Sequence, residues 1–270
     1  MRLLDKVVVV TGSTRGIGRA VAEACAQEGA QVVLCSRSQN SVQKAVEQLT
    51  AKGLRVSGIP VDVTVQADLE KLLQHTLDRW GKVDVWINNA GLSGSYLPLE
   101  EVSPEEIRAL VDTNLTATIQ ACRLLIPYFA QHGGVLINMS GRGGRGEAVP
   151  FLPVYSATKI AIISLTKSLA KENSGRPISI HAVLPGMVAT DFYVNVKSNP
   201  RTEPIVEGIP YVLKAIGIPI EDVARLFVEI AAQQPGRETG KVYSLFKGWR
   251  MIRGIALLTW YRATGKLRGA

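Results

Sequence analysis

Cysteine is scarce in this chain of 270 residues, which has only Cys25, Cys35 and Cys122. All three lie in apolar or periodic segments and none pair at metal-ligand spacing. Neither a disulfide framework nor a metal centre is therefore expected, and a reducing, cytoplasmic setting fits. Long apolar runs are missing too, since no stretch approaches the length needed to cross a bilayer. Met1 to Lys6 run straight into a strand-like stretch and leave no room for a signal peptide. Acidic residues are missing from Lys241 onward, where seven Lys and Arg supply most of the net charge of +8. The basicity thus belongs to a tail. With the charge gathered there and no recognition motif, nucleic acid is not an expected partner. There is no internal repeat, low-complexity tract or linker.

The rest is an ordinary globular composition, 46% hydrophobic and 20% charged, in a chain long enough for one large α/β domain. Its centre of interest is Tyr155-Ser156-Ala157-Thr158-Lys159. A tyrosine and a lysine four residues apart project from one face of a helix. An ammonium beside a phenol favours the phenolate and lowers the phenol's pKa, making Tyr155 a usable proton donor or acceptor.

Near the start, Lys6 to Thr11 carries four valines, suited to a parallel strand buried on both faces. Thr11-Gly12-Ser13-Thr14-Arg15-Gly16-Ile17-Gly18 follows, then a periodic helix to Glu28. In that context Gly12 permits a tight turn, Gly16 lets a pyrophosphate approach the backbone, and Gly18 allows close packing of the helix. The helix N-terminus then faces the phosphates. The second strand, Gln31 to Ser36, ends in Ser36-Arg37 where an NAD-preferring chain would place a carboxylate. Arg37, with Arg15, suits a ribose 2′-phosphate, so NADP(H) is the expected cofactor.

Further on, Asp62 either accepts from the adenine amino group or caps the helix beginning near Val65, with Thr64 as the competing cap. Val63 adjoins it. The fourth strand ends in Asn88-Asn89-Ala90-Gly91, small residues against which a cofactor could lie. Ser103-Pro104-Glu105-Glu106 opens a helix running to about Gln131 with Asn114 inside it. Residues 192–219, with Pro200, Pro204, Pro210 and Pro219, read as an irregular lid or binding loop.

Strands alternate with helices almost throughout, which predicts a doubly wound parallel α/β sheet of Rossmann type with helices on both faces. The glycine loop, Asn88-Asn89-Ala90-Gly91, Asn114, Tyr155-x-x-x-Lys159 and Pro185-Gly186 together resemble the short-chain dehydrogenase/reductase family over roughly residues 5–245. The resemblance implies that Tyr155 is the general acid of carbonyl reduction and that Lys159 lowers its pKa and holds the nicotinamide ribose. It implies that Asn114 holds a water of a proton relay, and that Pro185, Gly186, Val188 and Thr190 line the nicotinamide. It also implies a homodimer or homotetramer. One position departs from the family pattern: about thirteen residues before Tyr155, where a serine usually holds the substrate oxygen, stands Arg142. Ser140 is the candidate for that role, presented from a loop that is otherwise glycine-rich.

Asn138-Met139, that loop and Pro185-Gly186-Met187-Val188 look like the chlorophyll b reductase branch, which implies reduction of a formyl group on a bulky tetrapyrrole. The expected organisation is a catalytic domain over 1–245, its lid at 192–219, and a basic, aromatic-rich tail over 246–270. The tail suits an anionic membrane surface, or docking on the protein's own core or a second subunit. Two readings compete with the enzyme: an NADP(H)-binding sensor without turnover, and a membrane-associated interaction protein.

Overall fold

The computed structural model describes residues 1–194, 196–246 and 248–265, with the backbone alone at 249–251. Seven parallel strands form one sheet: β1 (Val7–Val10), β2 (Gln31–Ser36), β3 (Val56–Pro60), β4 (Val85–Asn88), β5 (Gly134–Met139), β6 (Ile178–Leu184) and β7 (Val242–Ser244). Their order is β3-β2-β1-β4-β5-β6-β7. The strands are short and β-branched because the sheet is covered on both faces. Val8 and Val10 pack in one layer with Val21, Cys25 and Phe227, while Val9 points the other way to Leu69, Leu72 and Phe129. These layers are built by α1 (Gly16–Gln27) and α8 (Ile220–Ala231) on one side, and by α3 (Gln66–Trp80) and α5 (Ala117–His132) on the other.

Strand order reverses between β1 and β4, so the turns leaving these two strands diverge and open a crevice at their carboxyl ends. Residues of the glycine loop, Asn89-Ala90-Gly91, the Tyr155–Lys159 pair and Pro185-Gly186 border that crevice, while Asn114 does not line it. α6 (Pro153–Glu172) crosses beside it and carries Tyr155 and Lys159.

Three expectations are corrected. The predicted single helix from Pro104 is α4 (Pro104–Val111), a π turn over Asp112–Thr116, and then α5. Residues 192–219 are not irregular: after a 3₁₀ turn at Asp191–Tyr193 they form α7 (Glu203–Ile216). Pro204 sits in the first turn, where no N–H is needed, so it starts the helix instead of breaking it. Ile205, Ile209, Val212 and Ile216 then recur along one face. Finally, neither Asp62 nor Thr64 caps α3. Its N-cap is Val65, and the Asp62 carboxylate instead accepts from Thr64 N at 3.0 Å and Thr64 Oγ1 at 2.7 Å.

Candidate active site

The crevice holds a cavity of about 600 Å³. At one end is the glycine loop. Gly12 and Gly16 have φ of +62° and +56°, a region L side chains avoid. A Cβ on Gly12 would come 2.9 Å from Ala90 Cα, and one on Gly18 would come 2.3 Å from Gly12 O. Over Gly16 the space is open, with Thr190 the nearest group at 3.7 Å. The first turn of α1 has no side-chain cap, so its N–H groups are left for a ligand. An uncapped helix start beneath an open glycine fits a dinucleotide's pyrophosphate.

Ser13 is spent on structure. Its Oγ donates to Val10 O at 2.6 Å and accepts from Cys35 N at 3.1 Å, tying β1 to β2. Thr14, Ile17, Ser36, Arg37, Asp62 and Val63 continue the cavity wall as expected. Arg15 lines it too, but reaches across to Asp191 at 3.9 Å. Both partners are largely exposed, so that pair contributes little and can yield to a phosphate.

At the end of β4, Asn89 is a strap. Its Nδ2 donates to Thr11 O at 2.9 Å and Gly12 O at 3.1 Å, and the backbone N–H groups of Asn89 and Ala90 both donate to Thr11 Oγ1 at 3.0 Å. Asn114 clamps the next stretch: Leu92 N donates to its Oδ1 at 2.7 Å, and its Nδ2 donates to Leu92 O at 2.9 Å. Each polar atom of the side chain thus has one partner on Leu92, which makes the side chain a clamp on that stretch. The π turn explains how a residue that suits helix interiors poorly is kept here.

Tyr155 and Lys159 both line the cavity, with Lys159 Nζ 5.5 Å from the centre of the Tyr155 ring. Both are buried, at 8% and 4% exposure. The ammonium donates to Met139 O at 3.3 Å. Burial dominates the electrostatics: it pushes the Tyr155 phenol well above its ordinary value and pulls Lys159 down to about 8. A cation one helical turn away would by itself lower the phenol. In this pocket desolvation of both charged forms is stronger, and Tyr155 stays firmly protonated.

Ser140 does not offer its hydroxyl to Tyr155. Its Oγ donates to Lys159 O at 2.7 Å and so fastens β5 to α6. Gly141 is the residue that meets the phenol, since a Cβ there would lie 2.4 Å from Tyr155 Oη. Along the chain Ser140 lies two residues before Arg142, which holds the position usual for the family's serine. Pro185, Gly186, Val188 and Thr190 line the cavity beside Met187.

The far wall is drawn largely from the segment expected as a lid or binding loop and from the tail, with Tyr96 and the contact of Arg142 not anticipated. Tyr96, Phe192 and Tyr193 surround the phenol, with Phe192 stacked edge-on to Tyr155 at 6.0 Å. The Arg142 guanidinium lies beside the Tyr96 phenol, where its charge opposes the upward push of burial on that phenol. α7 contributes Ile205, Ile209 and Val212, and α9 (Trp249–Ala263) contributes Leu258 and Arg262. The expected tail is largely this helix. Gly254 packs on Ile216, and Tyr261 lies edge-on to Tyr211 at 5.5 Å. Ile252, Ile255 and Trp260 remain exposed on the outer face. Lys247, Lys266, Leu267 and Arg268, also read as part of the tail, lie outside the described residues, as do the side chains of Trp249, Arg250 and Met251. Among the described residues, no helix is long and apolar enough to cross a membrane.

A sequence model of the short chain dehydrogenase family matches residues 6–201. The chain belongs to the short-chain dehydrogenase family. Among curated relatives, this short-chain dehydrogenase is similar to a chloroplastic chlorophyll(ide) b reductase of Oryza sativa subsp. japonica, 36% identical over 213 residues. The match covers 72% of this chain but only 62% of that relative's length. Two solved structures share the architecture at 26% identity. One is the 3-ketoacyl-(acyl-carrier-protein) reductase of Brucella melitensis complexed with NADH, with a TM-score of 0.79 over 90% of this chain and 97% of that one. The other is an actinorhodin polyketide ketoreductase with NADPH, with a TM-score of 0.78 over 91% and 97%. Measured against the family pattern, this short-chain dehydrogenase keeps the tyrosine and lysine and puts a glycine where the serine hydroxyl would stand.

Proposed function

We propose that this chain is an NADPH-dependent reductase that converts the carbonyl of a bulky, apolar aldehyde or ketone to an alcohol. The observation that carries the reading is Tyr155. Its phenol is held protonated by burial, one helical turn from Lys159, in the same cavity as a glycine loop shaped for a dinucleotide. Arg37, exposed at the end of β2, would take a 2′-phosphate, and Arg15 would join it by releasing Asp191. A bound nicotinamide would supply the hydride. Tyr155 would give its proton to the carbonyl oxygen as negative charge builds there, which requires the protonated phenol that the pocket favours. Lys159, behind the phenol, would draw on its own proton to restore it. Phe192, Ile209 and Val212 would hold an apolar body and exclude water.

The similarity to a chlorophyll(ide) b reductase supports a formyl group on a tetrapyrrole as the first substrate to try. The test is oxidation of NADPH and of NADH over a panel of aldehydes and ketones that includes formyl tetrapyrroles. Turnover is expected with NADPH. Tyr155→Phe should lower kcat by about a hundredfold or more while leaving NADPH affinity within about twofold. Unchanged turnover in that variant would remove Tyr155 from the chemistry.

A further inference from the structure

The far wall carries a charge that the proposed reduction does not use. Arg142 follows Gly141 in the loop after β5, is exposed, and lines the cavity with Tyr155 beside the buried phenol of Tyr96. It forms no ion pair with a carboxylate among the described residues. The cavity has three carboxylates on its wall, and each is already engaged. Asp62 accepts from Thr64 and Asp191 pairs with Arg15. Glu147 accepts from Gly143 N at 2.8 Å and Arg145 N at 3.0 Å, so it is bound to its own loop and faces the charge of Arg145. Arg145 and Arg262 of α9 also line the cavity, and Arg262 forms no ion pair with a carboxylate among the described residues.

We propose that Arg142 is a specificity residue that recognises a carboxylate on the substrate, so that the preferred carbonyl compound is a bulky apolar acid and not its ester. This rests on the reading of the crevice as a carbonyl-binding site. Arg142 is suited to it: a guanidinium presents a planar fork of donors that matches a carboxylate, and the residue is exposed on the cavity wall, where a ligand can reach it. The guanidinium carries five donors, of which the neighbouring Tyr96 phenol can occupy only a part. Gly141 makes room for this: with no side chain there, the loop brings its backbone up to the phenol, and the next residue supplies the charge.

The experiment uses the full chain with NADP+, so that binding is read without turnover, and titrates 6-formyl-2-naphthoate against its methyl ester by calorimetry. The acid is expected to bind about tenfold more tightly than the ester, as a charge-assisted pair implies. Arg142→Gln should bring the two affinities within about twofold by weakening the acid alone, and Arg142→Lys should keep part of the preference. Ester affinity unchanged in Arg142→Gln shows that the chamber has kept its shape. Equal affinities in the wild-type protein, or an acid preference that survives Arg142→Gln, would overturn the proposal. NADPH oxidation with the ester, run alongside, tests the reductase reading separately.

Discussion

Replacing Lys159 by Met tests the electrostatics of the site through stability. In the folded protein the Lys159 pKa falls from 10.5 to about 8 because the ammonium is buried. That difference of roughly 2.5 units corresponds to about 3 kcal/mol. The sign follows from proton binding. Between the two values the unfolded chain holds the proton and the folded chain does not, so raising the pH favours folding. Below about 8 the wild-type protein bears the full cost of burying a charge, and above 10.5 it bears none. A methionine of similar length fills the same space without titrating. The unfolding free energy of wild type minus that of Lys159→Met should therefore rise by about 2 to 3 kcal/mol between pH 7 and 10. Urea denaturation followed by tryptophan fluorescence measures both proteins, and taking the difference cancels every other titrating group. A flat difference would mean that Lys159 is not desolvated as the fold indicates. The account of Tyr155 as a burial-protected acid would then fail as well, because the two share one pocket.

Two further substitutions probe the rims of the crevice. Arg37→Asp should weaken NADPH by about tenfold to a hundredfold and leave NADH little changed, read as dissociation constants by fluorescence titration; no change in the ratio would leave the phosphate without its partner. Gly254→Leu should push α9 off α7, since even a Cβ would lie 2.5 Å from Ile216 Cγ2. A loss of about 1–3 kcal/mol of stability is expected, with KM for apolar carbonyl compounds rising more than kcat falls. An unchanged KM would detach α9 from the substrate chamber.

Local pattern alone established much of this molecule. Valine-rich runs, the glycine loop and the Ser103-Pro104 helix start are properties of a few adjacent residues, and these appear where the local pattern placed them. The glycine positions were legible because backbone sterics act locally: a positive φ at Gly12 and Gly16 needs no distant partner to explain it. α7 was hidden because two prolines suggested irregularity, although the spacing of Ile205, Ile209, Val212 and Ile216 was there to be read as one apolar face.

Other features depended on parts of the chain far apart in sequence. Which hydroxyl meets the phenol was settled by the exit angle of β5, which turns Ser140 toward the Lys159 carbonyl and leaves Gly141 at Tyr155. Asn114 was visible as an odd helix residue, but its role as a clamp on Leu92 needed the π turn. The protonation of the Tyr155–Lys159 pair reversed the simple expectation, because spacing along a helix says nothing about how much protein surrounds two side chains. Motifs therefore marked the chemistry from the sequence alone. Its electrostatics and the shape of the substrate wall came only with packing, since desolvation depends on neighbours contributed by several separate segments of the chain.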